Sequence, residues 1–308
     1  MYAEFYGLKE LPFALTPDPR FIYFTPSHME VMANLHYGIE SGKGLVVVTG
    51  EVGTGKTTIL RWMMQRLDRT VQVAYIFNPR LSVTEFYQHV AALFDIQRWD
   101  SKPELLVELG QALESRHSRG LRTVLIIDEA QGLSPSVLEE IRLLSNFESD
   151  TAKHLQIVLT GQPELREVLN DPDLRQLKQR VALRCLIKPL PTVAETDRYI
   201  TSRLLVAGAE RTDLFSSAAI DYIFRCTEGI PRNINNLCDN ALLSGYAMGD
   251  LNISRAIIEE VAESLDMLPR AERRAHSVEA RALPARIFSD VSRAELWATG
   301  IGDGDPSN

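Results

Sequence analysis

The feature that most constrains this chain is the apolar run Leu45-Val46-Val47-Val48-Thr49, followed at once by Gly50-Glu51-Val52-Gly53-Thr54-Gly55-Lys56-Thr57. An unbroken run rich in β-branched residues reads as a strand buried on both faces of a parallel sheet. The glycine-rich segment matches G-x-x-x-x-G-K-[ST] in the context that gives the pattern its meaning, after a strand and before a helical stretch. Its glycines let successive backbone amides curl around phosphate oxygens at the positive end of the helix. Lys56 would then reach the β and γ phosphates, and the hydroxyl of Thr57 would ligate Mg²⁺. Residues Gly50, Glu51, Val52, Gly53, Thr54, Gly55, Lys56, Thr57 and Thr58 form the expected loop for ATP. The bland alternative is a glycine-rich strand-to-helix turn with an incidental lysine, and the strand and helix on either side weigh against it.

Further apolar runs at 72–77, 123–127 and 156–159 are separated by helical patterns at 57–67, 83–94, 103–116 and 135–144, and a fifth strand is expected at 183–187. Strands alternating with helices imply right-handed crossovers and an α/β fold, a P-loop NTPase three-layer α/β/α sandwich around a parallel sheet. After Pro189 the strand runs stop, and 193–206, 216–226, 231–247 and 254–265 all read at helical period, which predicts a small all-helical second domain. Ahead of the core helix at 27–40, residues 1–26 concentrate aromatics together with Pro12, Pro17, Pro19 and Pro26. Those prolines forbid a continuous helix, so an ordered, irregular arm is expected whose aromatics need a surface. The expected boundaries are an arm at 1–26, a core at 27–190, a helical domain at 191–267 and a flexible tail at 268–308, with a short amphipathic helix at 287–297.

A chain of 308 residues, 45% hydrophobic and 24% charged, is an ordinary globular protein with room for two domains. Cys185, Cys226 and Cys238 form no CxxC pair and read as small core fillers in a reducing compartment. No apolar run approaches the ~18 residues of a membrane span, and no secretory signal is visible at the start. A cytoplasmic address follows, with any inner-membrane attachment made through a partner. The excess of 41 acidic over 33 basic residues, a net charge of −8, argues against a protein that coats nucleic acid, while leaving a local basic patch open.

The chemistry beyond the loop sits at strand ends. Val124-Leu125-Ile126-Ile127 runs into Asp128 and Glu129. An Asp at the tip of a strand beside a phosphate loop can hold Mg²⁺, and a Glu one residue on can polarise an attacking water. At the end of the next strand Thr160 and Gln162 are placed to sense a γ-phosphate, the alternative being a Gly-Pro loop with capping side chains. Arg180, with Arg175 as second choice, lies in a basic stretch where a guanidinium offered to a neighbouring subunit would neutralise transition-state charge; the alternative is a solvated helical face. Arg232 follows Pro231 at a helix start, a position unfavourable to a cation unless an anion is bound there or Glu228 pairs with it.

Taken in order, these elements resemble an AAA+ ATPase with Walker A at 50–57, Walker B at 124–129, a sensor near 160–162, an arginine finger near 180, and a sensor-two arginine at 232 in a helical lid. Phe5-Tyr6-Gly7-Leu8-Lys9-Glu10-Leu11-Pro12-Phe13, the Ile127–Gln131, Leu159–Leu165 and Gly229–Asn235 segments, and the phosphate loop resemble the ExeA/GspA family, the general secretion pathway protein A-like ATPases, over residues 1–268. The resemblance implies an oligomeric, Mg-dependent ATPase, a ring or filament that drives assembly or remodelling of a secretion, pilus or exopolysaccharide-export system. It implies an arm closing over the base, with Tyr23 and His28 as adenine neighbours. The family's namesake continues into a membrane span and a peptidoglycan-binding domain without counterpart here, so a cytoplasmic protein client is expected. A more distant likeness, to the transposition helper ATPases of TniB/TnsC type, implies DNA as an alternative partner, with Arg61, Arg80, Lys153 or the tail arginines as contacts.

Overall fold

Period-two side-chain alternation on five short strands builds the centre of the molecule. Strands β1 (Leu45–Gly50), β2 (Val71–Ile76), β3 (Arg122–Ile127), β4 (Gln156–Gly161) and β5 (Val181–Ile187) pair in parallel in the order β2-β3-β4-β1-β5. The fifth strand begins earlier than its apolar run, because Val181 pairs with Leu45 across a register irregularity. The computed structural model describes residues 1–16, 18–77 and 80–272. Met1–Met267 forms one unit and Leu268–Asn308 a second.

Alternate residues of the central strands face opposite ways, which is why their apolar runs are continuous. Leu45, Val47, Leu125, Ile127, Ile157 and Leu159 belong to one buried cluster, shared with helices α4 (Val83–Leu93), α5 (Lys102–Ser118) and α6 (Pro135–Leu144). Val46, Val48, Val124, Ile126 and Val158 belong to the other, under α2 (Pro26–Glu40) and α3 (Lys56–Met64). Each such side chain contributes about 1.5–3 kcal/mol on burial, which is what fixes the sheet between two helical layers. The three-layer α/β/α sandwich is thereby realised.

Helix starts follow their caps. Ser82 and Glu85 form a reciprocal capping box at α4, and Ser101 and Ser134 accept from the third backbone N–H of α5 and α6. Two helices between β4 and β5, α7 (Glu164–Val168) and α8 (Arg175–Arg180), are too short to announce themselves by periodicity. Beyond β5 the elements among the described residues are helices: α9 (Val193–Val206), α10 (Ser217–Thr227), α11 (Pro231–Met248) and α12 (Arg255–Ser264).

The proline-rich start contains one helical turn, α1 (Tyr2–Phe5), and a 3₁₀ turn at Pro19–Phe21. Its aromatics find their surface on the helical part. Phe13 is fully buried edge-on to Phe215 at 6.1 Å, Phe5 meets Tyr246 at 5.3 Å, and the Tyr6 hydroxyl donates to the Asp250 carbonyl at 2.9 Å. The cysteines Cys185, Cys226 and Cys238 are buried, and none of them is in a disulfide among the described residues. Among the described residues no helix is long and apolar enough to cross a membrane. Of the expected tail only 268–272 are described. The amphipathic helix expected at 287–297 and the arginines 273, 274, 281 and 286 lie outside the described residues.

Candidate nucleotide-binding site

The carboxyl ends of β1, β3 and β4 open on the same side of the sheet, where an open α/β sheet binds its ligands. The loop after β1 carries Gly53 at φ +83° and Gly55 at φ +95°, left-handed conformations that a side chain would strain. Gly53 is constrained twice, since a Cβ there would stand 2.5 Å from the Cβ of Arg232. Gly55 caps α3, so the loop amides and the first turn of the helix form one concave, donor-rich surface. Lys56 is buried, and its Nζ donates to the carbonyls of Gly50 at 2.8 Å and Glu51 at 3.0 Å. Burial pushes its pKa below the ordinary lysine value, against the pull of the nearby Glu129, Asp128, Glu51 and Glu164 carboxylates.

Asp128, just past β3, is fully buried and gathers the polar groups of the site. Its Oδ2 accepts from the Thr57 hydroxyl at 2.7 Å and the Tyr75 hydroxyl at 3.1 Å. Its Oδ1 accepts from the Thr160 hydroxyl and from the Glu129 N–H at 2.9 Å. Burial, and then the neighbouring Asp128 carboxylate, push the Tyr75 phenol well above its ordinary value, so it remains a donor.

Glu129 stands at φ +56° and ψ +37°, a left-handed conformation that costs a non-glycine residue roughly 1–2 kcal/mol. Two amides fasten its side chain. Gln131 Nε2 donates to Oε2 at 2.6 Å and Gln162 Nε2 donates to the same oxygen at 3.2 Å. The Gln131 amide is oriented in turn by the Gln162 N–H, which donates to its Oε1 at 3.1 Å. Gly161 makes room for this lock, for a Cβ there would lie 2.5 Å from Gln131 Oε1.

The loop, the arm and the helical part enclose a cleft of about 400 Å³ whose walls include Lys56, Thr57, Glu129, Tyr23, His28 and Arg232. Arg232 is in the first turn of α11, and its backbone N–H donates to the Gly53 carbonyl at 3.1 Å, which ties that helix to the phosphate loop. His28 bridges arm and loop. Its Nδ1 lies 3.1 Å from the Tyr23 carbonyl and its Nε2 3.2 Å from the Thr54 carbonyl, and burial lowers its pKa. Tyr23 itself donates to Glu195 Oε2 at 2.7 Å.

Not every expected residue meets at this cleft. Arg180 ends α8 just before β5, while Ile187 at the far end of β5 pairs with Gly50. About 20 Å of strand at 3.3 Å per residue therefore separates Arg180 from the phosphate loop of its own chain. Arg175, at the start of α8, is exposed. Of the basic residues considered for DNA, Lys153 is committed to Glu148 and to the Ser145 carbonyl and precedes β4, whereas Arg80 approaches Gly132, past the other end of the sheet. Arg61 is exposed on α3.

Sequence reasoning missed the clamping role of Gln131, the contact from Tyr75, and the inner wall formed by Tyr199, Arg203 and Asn235. A tyrosine inside an apolar strand was a signal for Tyr75. Gln131 and Asn235 sit within quoted motifs, but their partners are distant in sequence. The site fits the groups its motifs imply. The glycine-formed cradle offers amides and a lysine to phosphates, and the Thr57 hydroxyl beside the Asp128 carboxylate is a pair of hard oxygen donors suited to Mg²⁺.

Residues 39–169 match the AAA domain family. Over 255 residues the chain is 42% identical to general secretion pathway protein A of Aeromonas hydrophila, covering 82% of this chain and 46% of that protein. The chain thus spans about half the length of this curated relative. Among solved structures, the fold is similar to Cdc6p from Pyrobaculum aerophilum, with a TM-score of 0.64 and 18% identity over 83% of this chain and 70% of that one. It is similar also to the ORC2 protein of Aeropyrum pernix in its ADPNP-ADP complexes, with a TM-score of 0.58 and 16% identity over 80% and 72%. The Holliday junction branch migration motor RuvB of Thermotoga maritima gives 0.51 and 19% over 81% and 74%. At these identities the structural likeness is one of fold. The AAA domain at 39–169 agrees with the P-loop AAA+ fold, and over 82% of its length the chain is similar to one part of general secretion pathway protein A.

Proposed function

We propose that this chain binds ATP with Mg²⁺ and hydrolyses it as a homo-oligomer, and that turnover drives the assembly or remodelling of a bacterial secretion, pilus or exopolysaccharide-export system. The observation that carries the hydrolytic reading is that Thr57 and Glu129 line one cleft with the phosphate loop, and that Asp128, buried behind them, is hydrogen-bonded to both. Thr57 and Asp128 would hold Mg²⁺, which when bound neutralises charge on phosphate oxygens. Lys56 and Arg232 bind the phosphate chain, and the loop residues 50–58 wrap it. Glu129 takes the proton of the attacking water. Both glutamine amides donate to its Oε2, which leaves Oε1 as the accepting atom. Thr160 and Gln162 report the γ-phosphate to Asp128 and Glu129 respectively, the carboxylates to which each is bonded.

Arg180 is the trans arginine of this reading. A guanidinium at the opposite end of the sheet cannot serve its own cleft, but a neighbouring subunit can receive it. The export role is supported by the kinship with a protein named for general secretion. The test is turnover in purified protein. Lys56→Ala should lose both ATP binding and hydrolysis. Arg180→Ala should bind ATP without hydrolysing it, and mixing with Glu129→Gln subunits should restore part of the activity. Wild-type turnover by Arg180→Ala alone would end the trans assignment, and wild-type turnover by Lys56→Ala would end the site.

A further inference from the structure

The inner wall of the cleft contains a buried chain of hydrogen bonds whose direction is fixed from one end. Arg203, on α9, is a donor only. Its Nε donates to the Pro12 carbonyl at 2.6 Å and its Nη2 to the Ala14 carbonyl at 3.5 Å, while the guanidinium stands 4.8 Å from the ring centre of Phe21. These contacts bind it to the arm. Its Nη1 donates to the Tyr199 hydroxyl at 3.2 Å. The phenol oxygen therefore accepts from Arg203, and its own proton goes to Asn235 Oδ1 at 2.7 Å. Burial holds the Tyr199 pKa above the ordinary phenol value, so that proton stays in place.

With Oδ1 claimed by Tyr199, Asn235 has one face left, the two N–H donors of Nδ2. Asn235 is on α11 one turn beyond Arg232, and both residues line the cleft. We propose that Asn235 is a nucleoside-reading residue: its Nδ2 donates to an acceptor on the nucleoside half of the bound nucleotide, and the Arg203–Tyr199 relay sets the amide in that orientation. This rests on the nucleotide reading of the cleft and adds a consequence. The arm that seats Arg203 also sets affinity for the nucleoside, without touching a phosphate.

The acceptor is either a ring nitrogen of adenine or a sugar hydroxyl oxygen, and the experiment separates them. Equilibrium binding of a fluorescent ATP analogue is measured on the full chain by competition with ATP, ADP, 1-deaza-, 3-deaza- and 7-deaza-ATP, 2′-deoxy- and 3′-deoxy-ATP and inorganic tripolyphosphate. Asn235→Asp replaces the donor by an acceptor at the same position, and Tyr199→Phe removes the relay hydroxyl while keeping the ring. Each should weaken ATP and ADP alike by about tenfold, the scale of one hydrogen bond lost and reversed, and should leave tripolyphosphate competition unchanged. Retained tripolyphosphate binding also shows that the variant is folded; should Asn235→Asp not fold, Tyr199→Phe carries the test. In the wild type, a matching loss with one of the deaza-ATP analogues assigns the contact to the ring nitrogen that the analogue lacks, and a matching loss with 2′-deoxy- or 3′-deoxy-ATP assigns it to that sugar hydroxyl. Equal loss of ATP and tripolyphosphate in the variants, or loss of neither, overturns the proposal. Failure of the wild type to bind any of these compounds would instead overturn the nucleotide reading.

Discussion

Changing Asp128 to asparagine alters almost no volume, yet it changes which atoms can accept. Four donors converge on the carboxylate: the hydroxyls of Thr57, Tyr75 and Thr160 and the N–H of Glu129. An amide offers a single acceptor atom. The three hydroxyls can turn and accept, but the Glu129 N–H cannot, so the amide oxygen should face Glu129 and Thr160, with Nδ2 toward Thr57 and Tyr75. Each of the four bonds falls from a charge-assisted ~1.5–3 kcal/mol to a neutral ~0.5–1.5, a loss near 1 kcal/mol apiece. Because the neutral amide is less costly to bury, roughly half of that sum returns, leaving about 2 kcal/mol. Thermal unfolding at pH 7 should therefore show a midpoint lower by about 4–8 °C. Asp128→Ala, which leaves all four donors without their acceptor, should fall further. In ATP titrations the tightening of binding by Mg²⁺ should disappear in Asp128→Asn, since Thr57 alone is a weak ligand. An Asn variant as stable as wild type, with Mg²⁺ coupling intact, would refute the view of Asp128 as the hub.

Two further outcomes are expected. Thr196 on α9 is fully buried and its hydroxyl is the one buried side-chain polar atom among the described residues without a hydrogen-bond partner. Thr196→Val keeps the shape and removes that desolvation cost, so calorimetry should show a gain of about 1 kcal/mol, and a lower midpoint would contradict the assignment. His28 is held neutral by burial, with its folded pKa below the ordinary 6.5. Its contribution is complete above pH 6.5 and is lost as pH falls below it, because the unfolded chain then binds the proton more readily. His28→Gln should flatten the acid limb of a stability profile between pH 7.5 and 5; an unchanged slope would count against it.

The strands were legible because burial on both faces leaves continuous β-branched runs, and the loop was legible because its spacing and its flanking elements agree. The Asp128 network was only half legible. Thr57 belongs to the phosphate-loop motif and Thr160 and Glu129 to recognisable strand-end positions, but Tyr75 arrives through the pairing of β2 with β3, where it lies opposite Ile126. No local pattern encodes that register. The glutamine clamp on Glu129 likewise depends on two loops folding against each other, with Gly161 clearing the space. The role of Arg203 was hidden for a different reason. A buried arginine on a helix reads as an ordinary solvated position until the arm's carbonyls of Pro12 and Ala14 are seen against it. Helices α7 and α8 escaped because five or six residues do not complete two turns of periodicity.

The central claim is that Glu129, fixed by Gln131 and Gln162, is the base that activates water. Rapid-quench measurement of a single turnover in Glu129→Gln, beside equilibrium ATP binding by the same preparation, tests it most directly. The account predicts ATP affinity within about twofold of wild type and a chemical step slowed by at least 10²-fold, the low end of what general-base catalysis contributes. A chemical step at the wild-type rate with ATP fully bound would contradict it.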